Sequence, residues 1–243
     1  TKTYYARIYG ELTQLIRFYV HTEATLASLN ANDFRRLNVP LYDLHLRAIK
    51  SVFLNVSLLP AGLTTLTVYE IGTYNGFGSA NNLPAYLQQF TTSGLNGLTM
   101  DNLTALPATL TYLSITGKGG IDIDNLPAGL TDLLLYTITT PSGSLCNLPA
   151  TMTRIDIVGC GTTIDITTAP FKAWALTNFT ITSAYTTASV DGFFNTYALI
   201  AGAGAAILNL KGTGAGIANQ ADSAASAAAQ TTLVGLSKTI VTN

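Results

Sequence analysis

Leu-Pro recurs five times along the chain, at Leu59-Pro60, Leu83-Pro84, Leu106-Pro107, Leu126-Pro127 and Leu148-Pro149. Each time an apolar residue stands three positions after the Pro and another three beyond that, so the unit reads Leu-Pro-x-x-Φ-x-x-Φ-x-Φ-x-x-Φ, with Φ apolar. The most regular copies are Leu110/Leu113/Ile115, Leu130/Leu133/Leu135 and Met152/Ile155/Ile157; Leu63/Leu66/Val68 follows them, and Leu87/Phe90/Thr92 is weaker. The same core stands without Leu-Pro at Leu41/Leu44/Leu46 and Leu176/Phe179/Ile181. A degenerate first copy is read at Leu12/Leu15/Arg17, because Leu12-Thr-Gln-Leu15 echoes Leu63-Thr-Thr-Leu66. From Leu41 the starts are 22, 24, 23, 20, 22 and 24 residues apart. A period of that length is the mark of a solenoid: one turn cannot bury its apolar face alone, and stacked turns share a continuous core.

Alternation in Φ-x-Φ puts two side chains on one face of a short strand, and the Pro fixes φ where the chain bends towards the next strand. These residues resemble the leucine-rich-repeat family, in particular its short Leu-Pro-x-x-Leu bacterial type, over about residues 10–184. The resemblance implies an α/β solenoid with a parallel β-sheet on its concave face. The expected organisation is an N-terminal cap with the degenerate first repeat over 1–38, repeats of about 20–24 residues over 39–184, and larger β-α capping turns over 185–243. About ten parallel strands in one elongated, curved stack are expected. One departure stands out. The family's Asn/Cys position is held here by Val20, Ile49, Ile71, Leu95, Lys118, Ile138, Cys160 and Ala184, so packing is expected to replace a ladder of buried Asn side chains. Cys160 then reads as a small buried hydrophobe and Cys146 as a neighbour of the next Leu-Pro, with no need of a disulfide.

Beyond Ile181 the period lengthens. Val190, Phe193, Phe194, Tyr197, Ile200 and Ala201 follow helical spacing, and Ile207–Leu210 reads as a strand. Asp222 or Ser223 can cap a second helix, with Ala225, Ala229, Leu233 and Leu236 on one face, before a last strand over Thr239–Thr242. Aromatic strand-like segments and a helix near Leu26–Arg36 are expected at the other end. The 19 uncharged residues between Asp191 and Lys211 include Asn195, Asn209 and two glycines, and no membrane span is expected. The opening Thr-Lys-Thr-Tyr-Tyr has neither Met nor a signal-peptide core, which fits Met removal as well as cleavage from a longer precursor.

Charged residues make up 10% of the chain and the net charge is −1, which argues against nucleic-acid binding. Residues 1–50 hold seven of the twelve basic groups and four acids, so that end carries about +3 against −4 elsewhere. Its basic, aromatic residues Tyr4, Tyr5, Arg7, Tyr9 and Arg17 are candidates for docking into an assembly. No catalytic residue, metal ligand or cofactor is expected. His21 and His45 lack partners at ligand spacing, and neither a Gly-x-Ser-x-Gly elbow nor a complete phosphate-binding loop is present. Asp122, Asp124 and Asp165 stand in short alternating stretches and are read as pointing to solvent, with calcium binding the sharper alternative.

The informative surface is the sheet face turned away from the core. Three columns of residues are expected there, beginning with Gln14, Ile16 and Phe18 in the degenerate first copy. Tyr69, Tyr112, Tyr136, Asp132, Arg154 and Asp156 gather on the most regular turns, and Asp132 and Arg154, one rung apart, are expected to pair. Such a mixture suits a glycan or a protein loop. The function expected is a non-enzymatic recognition or structural subunit on a virion surface, as in a tail or head fibre or decoration protein of a bacterial virus. Its partners would be other virion proteins, further copies of itself, and a host glycan or surface protein. A bacterial cell-surface adhesin is the alternative. An effector-type enzyme scaffold is a third reading, against which 185–243 is too short for a ligase domain and contains no Cys.

Overall fold

Every complete Leu-Pro unit closes a tight turn. The Pro carbonyl accepts a hydrogen bond from the backbone N–H of the apolar residue three positions on, in Leu63→Pro60, Leu87→Pro84, Leu110→Pro107, Leu130→Pro127 and Met152→Pro149, at 3.0–3.4 Å. Pro supplies the preset φ, and the turn delivers the next residues into strand register. In this computed structural model the described residues are 17–26, 29–30, 41–49, 52–53, 59–69, 83–93, 106–117, 119–161, 164–168, 172, 174–182, 185, 187–198, 206–210 and 224–242.

Fourteen strands are seen among them. They are β1 (Arg17–Leu26), β2 (Leu29–Asn30), β3 (Asp43–Ile49), β4 (Val52–Phe53), β5 (Thr65–Tyr69), β6 (Gln89–Ser93) and β7 (Tyr112–Thr116). There follow β8 (Gly120–Asp122), β9 (Asp132–Tyr136), β10 (Thr140–Ser142), β11 (Arg154–Val158), β12 (Asn178–Thr182), β13 (Ala206–Leu210) and β14 (Lys238–Thr242). Two helices, α1 (Thr187–Ala198) and α2 (Ala224–Gly235), separate the last three strands. Ten strands form one sheet in the order β1-β3-β5-β6-β7-β9-β11-β12-β13-β14, and every pair is parallel. The chain is therefore a parallel β-solenoid, and the ten expected strands, including the two C-terminal ones, are present. The small pairs β8/β10 and β2/β4 lie outside this sheet.

Two sets of bonds stitch turn to turn. One carbonyl per turn, of Tyr42, Thr64, Gln88, Thr111, Thr131 or Thr153, accepts two consecutive backbone N–H groups of the following turn. A threonine hydroxyl adds a third bond at several of them: Thr64 to Tyr42, Thr111 to Gln88, Thr131 to Thr111, Thr153 to Thr131 and Thr177 to Thr153, at 2.9–3.3 Å. This ladder stands at a position the repeat pattern leaves free, directly after the first Φ. At the family's Asn position packing takes over as expected where it is described: Ile138 and Cys160 are buried, and the Cys160 Sγ accepts from the Ile138 N–H at 3.4 Å. Both cysteines are free, and burial raises the Cys160 thiol pKa.

The core is the stacked Φ columns. Leu44, Leu66, Phe90, Leu113, Leu133, Ile155 and Phe179 are in register from strand to strand and fully buried. At the C-terminal end Val190, Phe193, Phe194 and Tyr197 of α1 join them, so the helical spacing read there is the spacing of a buried face. Thr92 is the weak point of the second column. It lies in register between Val68 and Ile115, is 0% exposed, and its hydroxyl has no hydrogen-bond partner. An unpaired buried hydroxyl costs about 1–3 kcal/mol. Thr92→Val keeps the shape and removes that cost, so it should raise stability by roughly 1–2 kcal/mol in thermal or urea unfolding; a destabilised variant would mean that the hydroxyl is satisfied.

Two expectations at the N-terminal end are corrected. Phe18 and Val20, not Leu15 and Arg17, align with Leu44 and Leu46, so the first copy is displaced by three residues and Arg17 lies opposite Asp43. The pattern Leu15/Phe18/Val20 fits the repeat as well as Leu12/Leu15/Arg17 does, and burying Phe18 instead of an Arg decides between them. Gln14 and Ile16 lie outside the described residues. The helix near Leu26–Arg36 is not formed where the chain is described: Leu26 ends β1, and Leu29–Asn30 is a strand paired with Val52–Phe53.

Candidate functional site

On the outer face of the sheet the described register aligns three columns. The first runs Arg17, Asp43, Thr65, Gln89, Tyr112, Asp132, Arg154, Asn178; the second runs Tyr19, His45, Thr67, Thr91, Ser114, Leu134, Asp156, Thr180. The third holds Arg47, Tyr69, Ser93, Thr116, Tyr136, Val158 and Thr182. Strands about 4.8 Å apart bring side chains of one column into contact, and the outer columns wall in the middle one. Thr67, Ser114, Leu134 and Asp156 are consequently buried although they face away from the core.

Asp156 organises the best-defined cluster. Its carboxylate is 5% exposed and accepts from Arg154 Nε at 2.8 Å, Arg154 Nη2 at 2.6 Å and Asn178 Nδ2 at 2.6 Å, with the Tyr136 hydroxyl 3.5 Å away. The bidentate fork holds both groups in one geometry. Desolvation, and after it the Asp156 charge, raises the Tyr136 pKa, so the phenol stays protonated and keeps its donor. The Arg154 side chain remains 41% exposed and can still meet a ligand. Arg154 thus pairs with the residue two places along its own strand and not with Asp132. Asp132 instead accepts the Thr131 hydroxyl at 2.7 Å.

Of the residues expected to form a site, Tyr136, Arg154 and Asp156 come together, with Asp132 and Tyr112 on the adjoining rungs of the first column. Tyr69 is on β5, beside Arg47 and Ser93 and separated from β7 by β6. Asn178 completes the cluster and was readable only as a column member; its place beside Asp156 follows from the rung stacking. Tyr4, Tyr5, Arg7 and Tyr9 lie outside the described residues. Arg17, the fifth docking candidate, is on the outer face.

A second polar group surrounds Arg17. Its Nε lies 2.7 Å from Asp43 Oδ2, its guanidinium 6.0 Å from the Tyr19 ring centre, and Tyr19 stacks on His45 at 4.4 Å. His45 Nε2 is 2.8 Å from Asp43 Oδ1 without hydrogen-bond alignment, so this contact is ionic only when the imidazole is protonated. The corrected register of β1 creates this group, which the displaced reading had hidden.

The acids outside the main sheet do not point freely to solvent. Asp124 Oδ1 accepts from the Ser144 N–H at 2.7 Å and Asn147 Nδ2 at 2.9 Å, and Asp122 Oδ1 accepts from the Asp124 N–H at 3.0 Å. Gly143, with φ +99°, lets Asp124 come this close: a Cβ there would stand 2.6 Å from its Oδ1. Asp165 accepts from the Thr167 N–H and hydroxyl and the Thr168 N–H at 2.8–3.2 Å. Desolvation pushes its pKa up, but these bonds outweigh it and hold the carboxylate at about 2. The three carboxylates tie neighbouring turns together. Among the described residues no group of three or more His, Cys, Asp or Glu is placed to hold a metal, and no described helix is long and apolar enough to cross a membrane.

Fold and site together define a parallel β-solenoid with one ordered polar sheet face. No family model, curated protein or solved structure matches the chain.

Proposed function

We propose that this chain is a non-enzymatic recognition or structural subunit of leucine-rich-repeat type, carried on the surface of a bacterial virus, and that the outer sheet face is its recognition surface. The observation behind this reading is the cluster of Tyr136, Arg154, Asp156 and Asn178: a half-exposed Arg and a Tyr donor, both immobilised by a buried carboxylate. Preorganised aromatic and Arg side chains lose little entropy on binding and dominate interface energetics. The Leu-Pro unit supports the repeat type, in which this face would be concave. A chain only 10% charged supports life in an assembly, where neutral Thr, Ser and Ala surfaces pack against other proteins.

Two measurements on one set of variants test this. Tyr112→Ala, Tyr136→Ala and Arg154→Ala should each weaken binding to host cells or their surface polysaccharide by about 10- to 100-fold, near 1–3 kcal/mol, while particle incorporation is unchanged. Arg7→Ala with Tyr9→Ala should leave binding intact and reduce incorporation. If the face variants bind normally and only the N-terminal ones fail to assemble, the chain is a structural subunit without a recognition face. Antibody detection in the host envelope and not in purified particles would replace the virion by a cell-surface adhesin.

A further inference from the structure

The two end strands of the ten-stranded sheet are treated differently by the sequence. An end strand offers a row of backbone donors and acceptors to any passing chain, and natural proteins blunt it with charge, bulges or proline. The β1 end carries two of these devices. Its register with β3 breaks between His21 and Leu26, and its outer face holds Arg17 in an ion pair with Asp43.

Strand β14 carries neither. It runs in unbroken register with β13 from Lys238 to Thr242, contains no Pro, and among the described residues is hydrogen-bonded to a strand on one side only. Its one charged residue, Lys238, is 6% exposed and so does not guard the edge. The described surface around it is uncharged: Ile207 is 50% exposed, Val234 of α2 59%, and Thr239 is exposed. No other charged residue stands in Ala206–Leu210 or Ala224–Thr242.

We propose that β14 is the chain's self-association edge, pairing antiparallel with β14 of a second copy about a two-fold axis at Ile240. That register sets Ile240 against Ile240, Thr239 against Val241, and Lys238 against Thr242. It keeps the two lysines at opposite ends of the pair and extends the core layer from one copy into the other. A head-to-tail alternative would bring Thr239, which follows Ile207 in register, beside the bulged and charged β1, and would build an open filament. The two-fold pairing closes on itself and leaves the outer sheet face of both copies on one continuous surface.

Charge variants of the full chain test both the pairing and its register. Thr239→Lys with Val241→Lys sets lysine against lysine twice, and the dimer seen by analytical ultracentrifugation should weaken by about tenfold or more. Thr239→Lys with Val241→Glu carries the same number of substitutions but sets Lys against Glu twice, and it should remain dimeric. Circular dichroism and thermal melting of both variants show whether each is folded. A monomeric native chain, equal behaviour of the two folded double variants, or filaments in place of dimers would overturn the proposal. If both variants unfold, cysteine cross-linking of Ile240→Cys in the otherwise native chain decides: a disulfide-linked dimer is expected, and its absence under oxidation counts against the pairing.

Discussion

Replacing Phe193 by Asp is expected to remove at least about 4 kcal/mol of stability, the largest single effect anticipated in this chain. Phe193 is fully buried and stacks on Phe179 of β12 at 4.6 Å and on Tyr197 at 5.5 Å, with Phe194 at its edge at 5.8 Å. These rings plug the end of the Φ columns. Deleting a buried Phe alone costs about 3–5 kcal/mol, and a carboxylate in its place has no cation near enough in the described contacts to offset its desolvation. Because stacked repeats are stabilised by their neighbours, the damage should start at the C-terminal end. Hydrogen exchange should speed up first in β13 and β14 and last in β7 to β11. Phe193→Leu, which keeps most of the apolar volume, should cost much less. An Asp variant that melts within about 1 kcal/mol of the parent would show that α1 does not close the core.

Asp156→Ala is the second large change expected, at about 1–3 kcal/mol of stability together with loss of any ligand affinity carried by Arg154 and Tyr136. The variant removes the acceptor of three bonds of 2.6–2.8 Å and leaves the Asn178 amide and the Arg154 fork without their partner. The cost stays below that of a fully buried pair because the half-exposed guanidinium can be rehydrated. A spectroscopic sign separates this from general loosening. The Tyr136 pKa is raised by desolvation first and by the Asp156 charge next, so in the variant it should move back towards the ordinary tyrosine value. Tyrosine-selective NMR titration reads that shift, and an unmoved Tyr136 resonance would place the phenol outside the network. Asp156→Asn keeps the shape and one acceptor oxygen, and should fall between the parent and the Ala variant.

Much of the architecture was legible because it depends on local rules repeated many times. Pro60, Pro84, Pro107, Pro127 and Pro149 mark turns that form the same backbone bond, and the Φ-x-Φ alternation assigns each strand residue to the core or the outer face. An error in one copy is outvoted by the others wherever the copies are regular. The degenerate first copy has no such redundancy. Leu12/Leu15/Arg17 and Leu15/Phe18/Val20 satisfy the same spacing, and only the cost of burying Arg17 instead of Phe18 selects the register. Thr92 shows the converse: its place in the Φ column was plain, but its unpaired hydroxyl is a property of the packed neighbours Val68 and Ile115.

Sequence alone determined that the chain stacks turns of 20–24 residues and which residues of the regular turns share a face, since both follow from periodicity and turn chemistry. The tertiary structure decided how the polar groups on that frame are spent. Arg154 can reach either Asp132 on the next rung or Asp156 on its own strand, and it turns to Asp156, whose carboxylate the flanking columns have taken out of water. Asp122, Asp124 and Asp165 likewise had equal claims on solvent, on a cation and on backbone N–H groups, and neighbouring amides claimed them. Spacing carries no information about such choices. They turn on side-chain reach and on how far each competing partner is desolvated, which exist only once the turns are stacked.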